Sequence, residues 1–485
     1  MWLAPTCVIL SMTATSCSTS GDTVFRHVDE SEKVGSNEAF GELNGWALST
    51  AALPWQRQIR IPLIGTSLPD GRQYSRWRCV GGLEDDYLIF GQQRTCVFRN
   101  ICYNQSDWLF YQRPGERLPI LFDHKAGMRY GFRQRHTRAG HNIDHDFVAL
   151  WWKPRPWERY DLRWLSWSPL IVEDPLPKRH VALQGLHALI DAPFAYAANL
   201  GHFVWEIAFP LFVAMAQLGE YTRHLRVIQR SDFCRTDLCH KFADAFLRPL
   251  LGVHEEAIPA LADLATALGQ STEPLCFDRL LVGATAAAFD SEARNEGKEP
   301  LLMLYRARVL EWHQVSMIPL ASHRIVLVDK QQGKRGIKNF DEVYEEVLSS
   351  FHAIANVTRV ILPVLSIMEQ LHLLSRTTVA VSPCGGVSMI LPFLPESAFA
   401  ILINYALDTV PAKQPDDRHG ECAFCSWTME GEFWRHVPHI RKLYYQVFGP
   451  DDFEGRQMGR DSRVIVNASR IRWLIQAAFE EMQPY

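Results

Sequence analysis

Between His323 and Tyr405 the chain alternates short, nearly continuous apolar runs with stretches in which apolar residues recur every three or four positions. HRIVLVDK reads as a strand, NFDEVYEEVLSSF as a helix, TRVILPVL as a strand and SIMEQLHLLSR as a helix. TTVAVSP then reads as a strand, GGVSMILPFL as a short helix and AFAILINY as a strand. Strands without a polar face are what a parallel sheet covered on both faces requires. The pattern therefore predicts an α/β fold with a Rossmann-like lobe in this half.

Elsewhere the rhythm changes. Residues 18 to 75 are polar and mixed, which reads as a stem or irregular extension. From Trp77 to Phe147 short runs such as DYLIF and DWLFYQ alternate with turn residues, predicting β-rich structure stapled by Cys79, Cys96 and Cys102. VALWWKPRPWERYDLRWLSWSP reads as an extended connector whose tryptophans pack on a core, with a sugar-stacking surface as the alternative. Helical spacing fills Ala192 to Gly269, CFDRLLVGA reads as a strand, and DSEARNEGKEP reads as a surface loop near the division between lobes. The expected organisation is a leader or anchor at 1–20, a stem at 21–75, a first lobe at 76–298, a second at 299–465 and a last helix at 466–485. Ile471, Leu474, Ile475, Ala478 and Phe479 share one face of that helix. It either crosses back to the first lobe as a hinge element or packs on its own lobe.

The chain has 485 residues, 47% of them hydrophobic, more than one core usually organises. A net charge of -4 gives no general attraction for nucleic acid or an anionic membrane. MWLAPTCVILSMTATSC resembles a secretory signal without a basic start; an N-terminal membrane anchor or a merely apolar terminus are the alternatives. Among 11 cysteines, Cys234 and Cys239 stand close together, as do Cys422 and Cys425. Asn104, Asn356 and Asn467 open Asn-x-Ser/Thr acceptor triplets. Together these favour the oxidising secretory pathway. Phe203–Leu218 is short for a bilayer crossing and carries Glu206, so it reads as a buried core helix.

Three stretches could carry chemistry. Cys384, Gly385 and Gly386 follow a predicted strand, where an open parallel sheet binds ligands, and a following helix would offer its N-terminus to a phosphate. A tight strand-to-helix turn is the bland alternative. In NLGHFVWE, His202 and Glu206 stand four residues apart, so the carboxylate would orient the imidazole as a base, or simply order a core helix. In DKQQGKRGIKNFDEV, Lys330 and Arg335 follow a strand on the rim that carries the glycines, while Lys334 and Lys338 read as solvated. Asp144-x-Asp146 is a weak metal-dependent alternative. Cys384 as a hydrolase nucleophile lacks the preceding glycine, with Ser382 in its place. A zinc site from Cys234, Cys239, Cys422 and Cys425 suits a lumenal chain less well than disulfides.

NLGHFVWE, RGIKNFDEV, MEQLHLLSRTTVAVSPCGGVSMILPFLP and CVFRNICYN together resemble glycosyltransferase family 61, from about Cys79 to the C-terminus. That family includes plant xylosyl- and arabinosyltransferases and animal enzymes that add N-acetylglucosamine to protein-linked O-glycans. The resemblance implies an inverting glycosyltransferase of GT-B type, with two Rossmann-like lobes facing a cleft. It further implies a nucleotide-sugar donor, UDP-linked, held by the second lobe, a glycan or glycoprotein acceptor on the side of the first, no required cofactor or metal, and a Golgi or endoplasmic reticulum lumen. Carried over, Arg335, Asn339, Glu369, Gln370, Gly385 and Gly386 fall to the donor side, and Asn199, Gly201, His202 and Glu206 match the family's Asn-x-Gly-His segment; by position Lys330, Cys384 and Ser388 join the expected donor site, and His202 or Glu206 is the expected base. Many members have His where this chain has Cys384, which removes an imidazole contact to the donor. The alternatives are a non-catalytic carbohydrate-binding protein on the same fold and a cysteine-dependent hydrolase.

Overall fold

The computed structural model describes residues 64–65, 73–80, 95–116, 120–123, 128–132, 145–149, 166–190, 199–220, 225–230, 234, 236–251, 261, 273–283, 297–316, 322–331, 335–404, 433–434, 436–447, 450–456 and 462–482. The N-terminal 63 residues, Asp144, Lys334, Cys422, Cys425 and most of the tryptophan-rich connector lie outside this set.

The first sheet contains β1 (Ile64–Gly65), β2 (Arg76–Val80), β3 (Thr95–Tyr103), β4 (Trp108–Tyr111), β5 (Leu170–Val172), β6 (Val181–Ile190), β7 (Arg226–Gln229) and β8 (Leu275–Val282). Its order is β1-β2-β3-β8-β6-β7, with β4 paired to β3 and β5 to β4. β8, β6 and β7 run parallel, whereas β3 is antiparallel to β8. The parallel part is built by two crossovers. α1 (Leu200–Gln217) joins β6 to β7, and α2 lies between β7 and β8 as Asp237–Phe242, a π-helical stretch Ala243–Leu247 and Arg248–Leu251.

β6 and β7 were not separately legible as strands, for local reasons. In β6, Gly185 takes φ +85° and the register shifts between Leu183 and Leu186, so burial alternates before the bulge and becomes continuous after it. β7 is only four residues long and sits within a region of helical spacing.

Disulfides fasten the β-rich part where strands already pair. Cys79–Cys96 links facing residues of β2 and β3, and Cys102–Cys276 links facing residues of β3 and β8. Cys234–Cys239 closes a short loop at the start of α2. Three such bonds indicate folding in an oxidising, secreted or lumenal environment. Trp77, Phe98, Trp108, Phe132, Phe147 and Trp167 pack together in edge-to-face and tilted contacts, so the described tryptophans of this region are core residues.

The second sheet contains β9 (His323–Val328), β10 (Ala355–Val360), β11 (Val379–Pro383), β12 (Phe399–Asn404) and β13 (Arg441–Gln446). All pairings are parallel, in the order β10-β9-β11-β12-β13. α3 (Glu299–Trp312) precedes it, α4 (Phe340–Phe351) and α5 (Ile367–Leu374) are its crossovers, and α6 (Ala468–Met482) closes the chain. β10 begins at Ala355 and ends before Pro363, which opens a 3-10 turn instead of extending the strand. From β9 the chain goes first to one neighbour and later returns to the other. Connections therefore leave the carboxyl ends of β9 and β11 in opposite directions, and a crevice opens between them.

The main core runs unbroken from the helices of the first half into both faces of the second sheet. α3 is tied to both sides: Tyr305 donates its hydroxyl proton to the Phe246 carbonyl at 3.2 Å, and Arg306 donates to the Leu394 carbonyl at 2.7 Å. α1 is long and apolar enough to cross a membrane, yet 72% of it is buried inside the protein, as a core helix requires. α6 packs on α4, β12 and β13, so among the described residues its main contacts are with its own lobe. Its apolar face, Ile471, Leu474, Ile475, Ala478 and Phe479, is satisfied there.

Two histidines make this core sensitive to acid. Burial, with Arg226 beside it, lowers His187 to about 4, and burial, with Arg306 nearby, lowers His439 to about 3. Below about pH 6.5 the unfolded chain binds protons at these sites that the folded chain refuses. Stability should therefore fall as pH drops from about 6.5 toward 4, by up to about 1.4 kcal/mol per pH unit for each histidine. Urea midpoints at pH 7 and pH 5 measure this. His439→Gln, which can still donate to the Pro392 carbonyl that His439 Nε2 reaches at 2.8 Å, should show a shallower decline.

Candidate functional site

The crevice is shaped first by Asp329, at the end of β9. Its carboxylate accepts the Gln331 N–H at 2.7 Å and, on the other oxygen, Arg359 Nε at 3.0 Å and Nη2 at 2.6 Å. Those bonds bend the chain immediately after the strand. Hydrogen bonding to Asp329 also raises the Arg359 pKa, and Arg359 bonds Asp341 and covers the Phe340 ring, so it is committed to the fold. The loop returns at Arg335, which sits in the left-handed region at φ +67°. A non-glycine residue held there costs energy that the surroundings must supply.

The surroundings are visible. The segment before α6 lies alongside residues 336–339: Val464 N–H donates to the Gly336 carbonyl at 2.9 Å, and Lys338 N–H to the Val464 carbonyl at 2.7 Å. Asn339 donates to the Val466 carbonyl at 2.7 Å and accepts the Val466 N–H at 2.9 Å. Lys338 pairs with Glu454. Asn339 thus clamps the loop that carries Arg335, and Lys338 is a partly exposed structural cation.

Opposite this loop, β11 ends in the Cys384–Val387 turn. Cys384 donates its N–H to the Ile403 carbonyl at 3.1 Å, and the Gly385 carbonyl accepts both the Ser388 N–H at 2.9 Å and the Ser388 hydroxyl at 2.8 Å. Gly385 adopts φ +118°. A Cβ on it would lie 3.1 Å from Lys330 Nζ, 3.6 Å from an Arg335 guanidinium nitrogen and 3.7 Å from Arg335 Cδ. The two cations and the bare glycine backbone therefore meet. Among the described residues, no acceptor takes a hydrogen bond from the amides of Gly385, Gly386 or Val387.

One expectation is corrected here. GGVSMILPFL is a 3-10 helix of six residues, Ser388–Phe393, with Pro392 inside it. It is too short and too tightly wound to present an α-helical N-terminus, so any electrostatic help for an anion comes from the turn amides and the cations.

The start of α1 completes the cluster. Asn199 caps the helix by accepting the Gly201 N–H at 3.0 Å, and the same oxygen lies 3.1 Å from where a Gly386 Cβ would stand. A Cβ on Gly201 would come within 2.9 Å of Met389 Cγ, while Trp205 Nε1 donates to the Met389 carbonyl at 2.7 Å. At Gly201 a Cβ would force Met389 to shift, and at Gly386 it would crowd the Asn199 carboxamide. His202 follows at once; its Nδ1–H donates to Glu206 Oε1 at 2.6 Å, with the imidazole 32% and the carboxylate 5% exposed. Glu206 Oε2 has no hydrogen-bond partner among the described residues. A π-helical stretch, Val204–Ala208, begins two residues after His202, the kind of irregularity that accompanies functional positions in helices.

Asn199, Gly201, Lys330, Arg335, Gly385 and Gly386 are thus brought together, with His202 and Glu206 on the adjoining turn. Other expected donor residues have local tasks. Glu369 forms the capping box of α5 with Ser366, whose hydrogen bonds lower its pKa. Gln370 donates to the Leu362 and Leu365 carbonyls, Ser388 holds the glycine turn, and Cys384 is a buried thiol outside the disulfides. Among the described residues no three His, Cys, Asp or Glu side chains converge on a metal-sized site. Asp329, Arg359 and Met389 were missed; an acid directly after an apolar strand was the available signal for the first, and there was none for Met389. No known protein family matches the chain, and no curated protein does either.

Gly385→Ala tests the turn. It places a side chain in a backbone region that disfavours one and crowds Lys330, so a loss of about 1–3 kcal/mol is expected by urea denaturation.

Proposed function

We propose that the protein is an inverting glycosyltransferase that moves a sugar from a nucleoside-diphosphate donor, a UDP-sugar, to a hydroxyl of a glycan or glycoprotein. The observation that carries the reading is the meeting of Lys330 Nζ and the Arg335 side chain over the bare backbone of Gly385, in the crevice between β9 and β11. Two cations and a run of amides are what a diphosphate needs in place of water. In this reading the two sheets belong to two lobes of GT-B type, the second holding the donor and the first, through α1, facing the acceptor. The three disulfides fit a lumenal site of action, in the Golgi or endoplasmic reticulum.

His202 serves as the base. With Nδ1–H fixed on Glu206, Nε2 is the ring atom that would take the proton of the attacking hydroxyl. That oxygen bonds to the sugar's anomeric carbon from the side opposite the leaving group, while the bond from carbon to diphosphate oxygen breaks. Negative charge then grows on the diphosphate beside Lys330 and Arg335, which stabilise it more strongly than they do the bound donor. Glu206 stabilises the imidazolium formed by the transfer. A cysteine hydrolase fits less well, because Cys384 is 3% exposed and its amide is used in pairing with β12.

Thermal unfolding of the full chain with UDP, uridine and inorganic phosphate tests the donor site, since a ligand that prefers the native state raises its stability. UDP should stabilise most. Arg335→Ala should weaken UDP about 10- to 100-fold, the cost of one or two charge-assisted hydrogen bonds; an undiminished response would remove Arg335 from the site. His202→Ala should keep the UDP response and lose sugar transfer.

Asn339→Ala separates clamp from contact. It should weaken UDP through disorder of the Arg335 loop and also lower the melting temperature without ligand, whereas Arg335→Ala, which keeps the Cβ and with it the left-handed backbone strain, should leave that temperature nearly unchanged.

A further inference from the structure

β10 is the edge strand of the second sheet, and among the described residues no strand pairs with its outer side. Edges of this kind are templates for pairing with another chain, and proteins blunt them with lysine, proline, a bulge or a cover. β10, with sequence ANVTRV, has none of the first three. Its one charge, Arg359, is drawn aside by Asp329 and Asp341 and by the Phe340 ring. Ile354, just before the strand, is 57% exposed. A cover is what remains.

Asn356 is the anomaly in this strand. Asparagine is a poor strand former, and this one is exposed, its side chain bonded among the described residues to the hydroxyl of Thr358 alone, which donates to its Oδ1 at 3.1 Å. The other two acceptor asparagines have structural work. Asn104 Oδ1 accepts Asp107 N–H at 2.7 Å, Ser106 N–H at 3.3 Å and the Ser106 hydroxyl at 3.1 Å in the turn between β3 and β4. Asn467 Oδ1 caps α6 through the Arg470 N–H at 3.0 Å. At Asn356 the fold does not explain the asparagine, and the carboxamide nitrogen is not held by any described group.

We propose that Asn356 carries an N-linked glycan, and that this glycan guards the open edge of the second sheet. In the oxidising compartment indicated by the disulfides, the donor is an oligosaccharide on a polyprenyl pyrophosphate. The Asn356 amide nitrogen bonds to the anomeric carbon and gives up one proton, and the carbon–oxygen bond to the pyrophosphate breaks with its electron pair leaving on oxygen. The sugar then occupies the solvent beside β10, where a second strand would have to approach. This is independent of the transferase reading.

The test uses the full chain made in an animal-cell secretory pathway. Enzymatic removal of N-glycans in 18O-water followed by peptide mass spectrometry should find Asn356 converted to labelled Asp in most molecules. Unmodified Asn356, or modification confined to Asn104 and Asn467, overturns the proposal. For the guarding role, Asn356→Gln and Thr358→Ala, which abolish the acceptor triplet in different ways, should each raise the aggregated fraction several-fold in size-exclusion chromatography. Asn356→Lys should restore the monomer by putting a charge on the edge. Equal monomer content in all variants would refute the guarding role even with the glycan in place.

Discussion

The approach of α1 to the turn after β11 holds the two halves of the molecule in one arrangement. It is made by absence as much as by contact: Gly201 lacks a Cβ that would strike Met389, and Gly386 one that would crowd Asn199. Trp205 then locks the approach with its hydrogen bond to Met389, in a fully buried setting where an unmet indole N–H would be costly. Because His202 follows Gly201 and Gly386 follows Gly385 in the chain, this contact brings the His-Glu pair and the glycine turn together, so the spacing of the candidate site is a consequence of packing. The same hydrophobic core packs the helices of the first half and the second sheet around this contact.

A second layer of support lies away from the crevice. Arg335 would not hold a left-handed backbone unaided, and the Val464–Val466 segment, 127 residues beyond Asn339, supplies the bonds that hold its loop. Asp329 does the same for the other end of that loop through Arg359. The residues that would touch a ligand are thus few, and the residues that fix them are drawn from β10, α4 and the approach to α6. This is the usual relation of a precise site to its scaffold.

Much of the second sheet was legible because buried parallel strands leave an unambiguous mark, and β9, β11 and β12 fall close to where apolar runs predicted them. β13 was not singled out, since RKLYYQ mixes charge with aromatics and is partly screened by its own long side chains. The glycine pair, the cations and the His-Glu pair could each be named from local pattern. Their meeting could not, for it depends on strand order and on a methionine with no signature of its own. Asn339 and Glu369 show the converse: polar residues at the rim looked like ligand contacts, but an N-terminal cap and a loop clamp use the same side chains for the same hydrogen-bonding reasons.

The Cys102–Cys276 bond spans 174 residues and encloses β4 to β7 together with both helices of the first crossovers. Any peptide bond cut by a protease inside that covalent ring opens a loop without releasing a fragment. The first sheet is therefore insured against single nicks in the oxidising, secreted or lumenal environment its disulfides indicate, and a molecule cut once inside the ring would separate into pieces only after reduction.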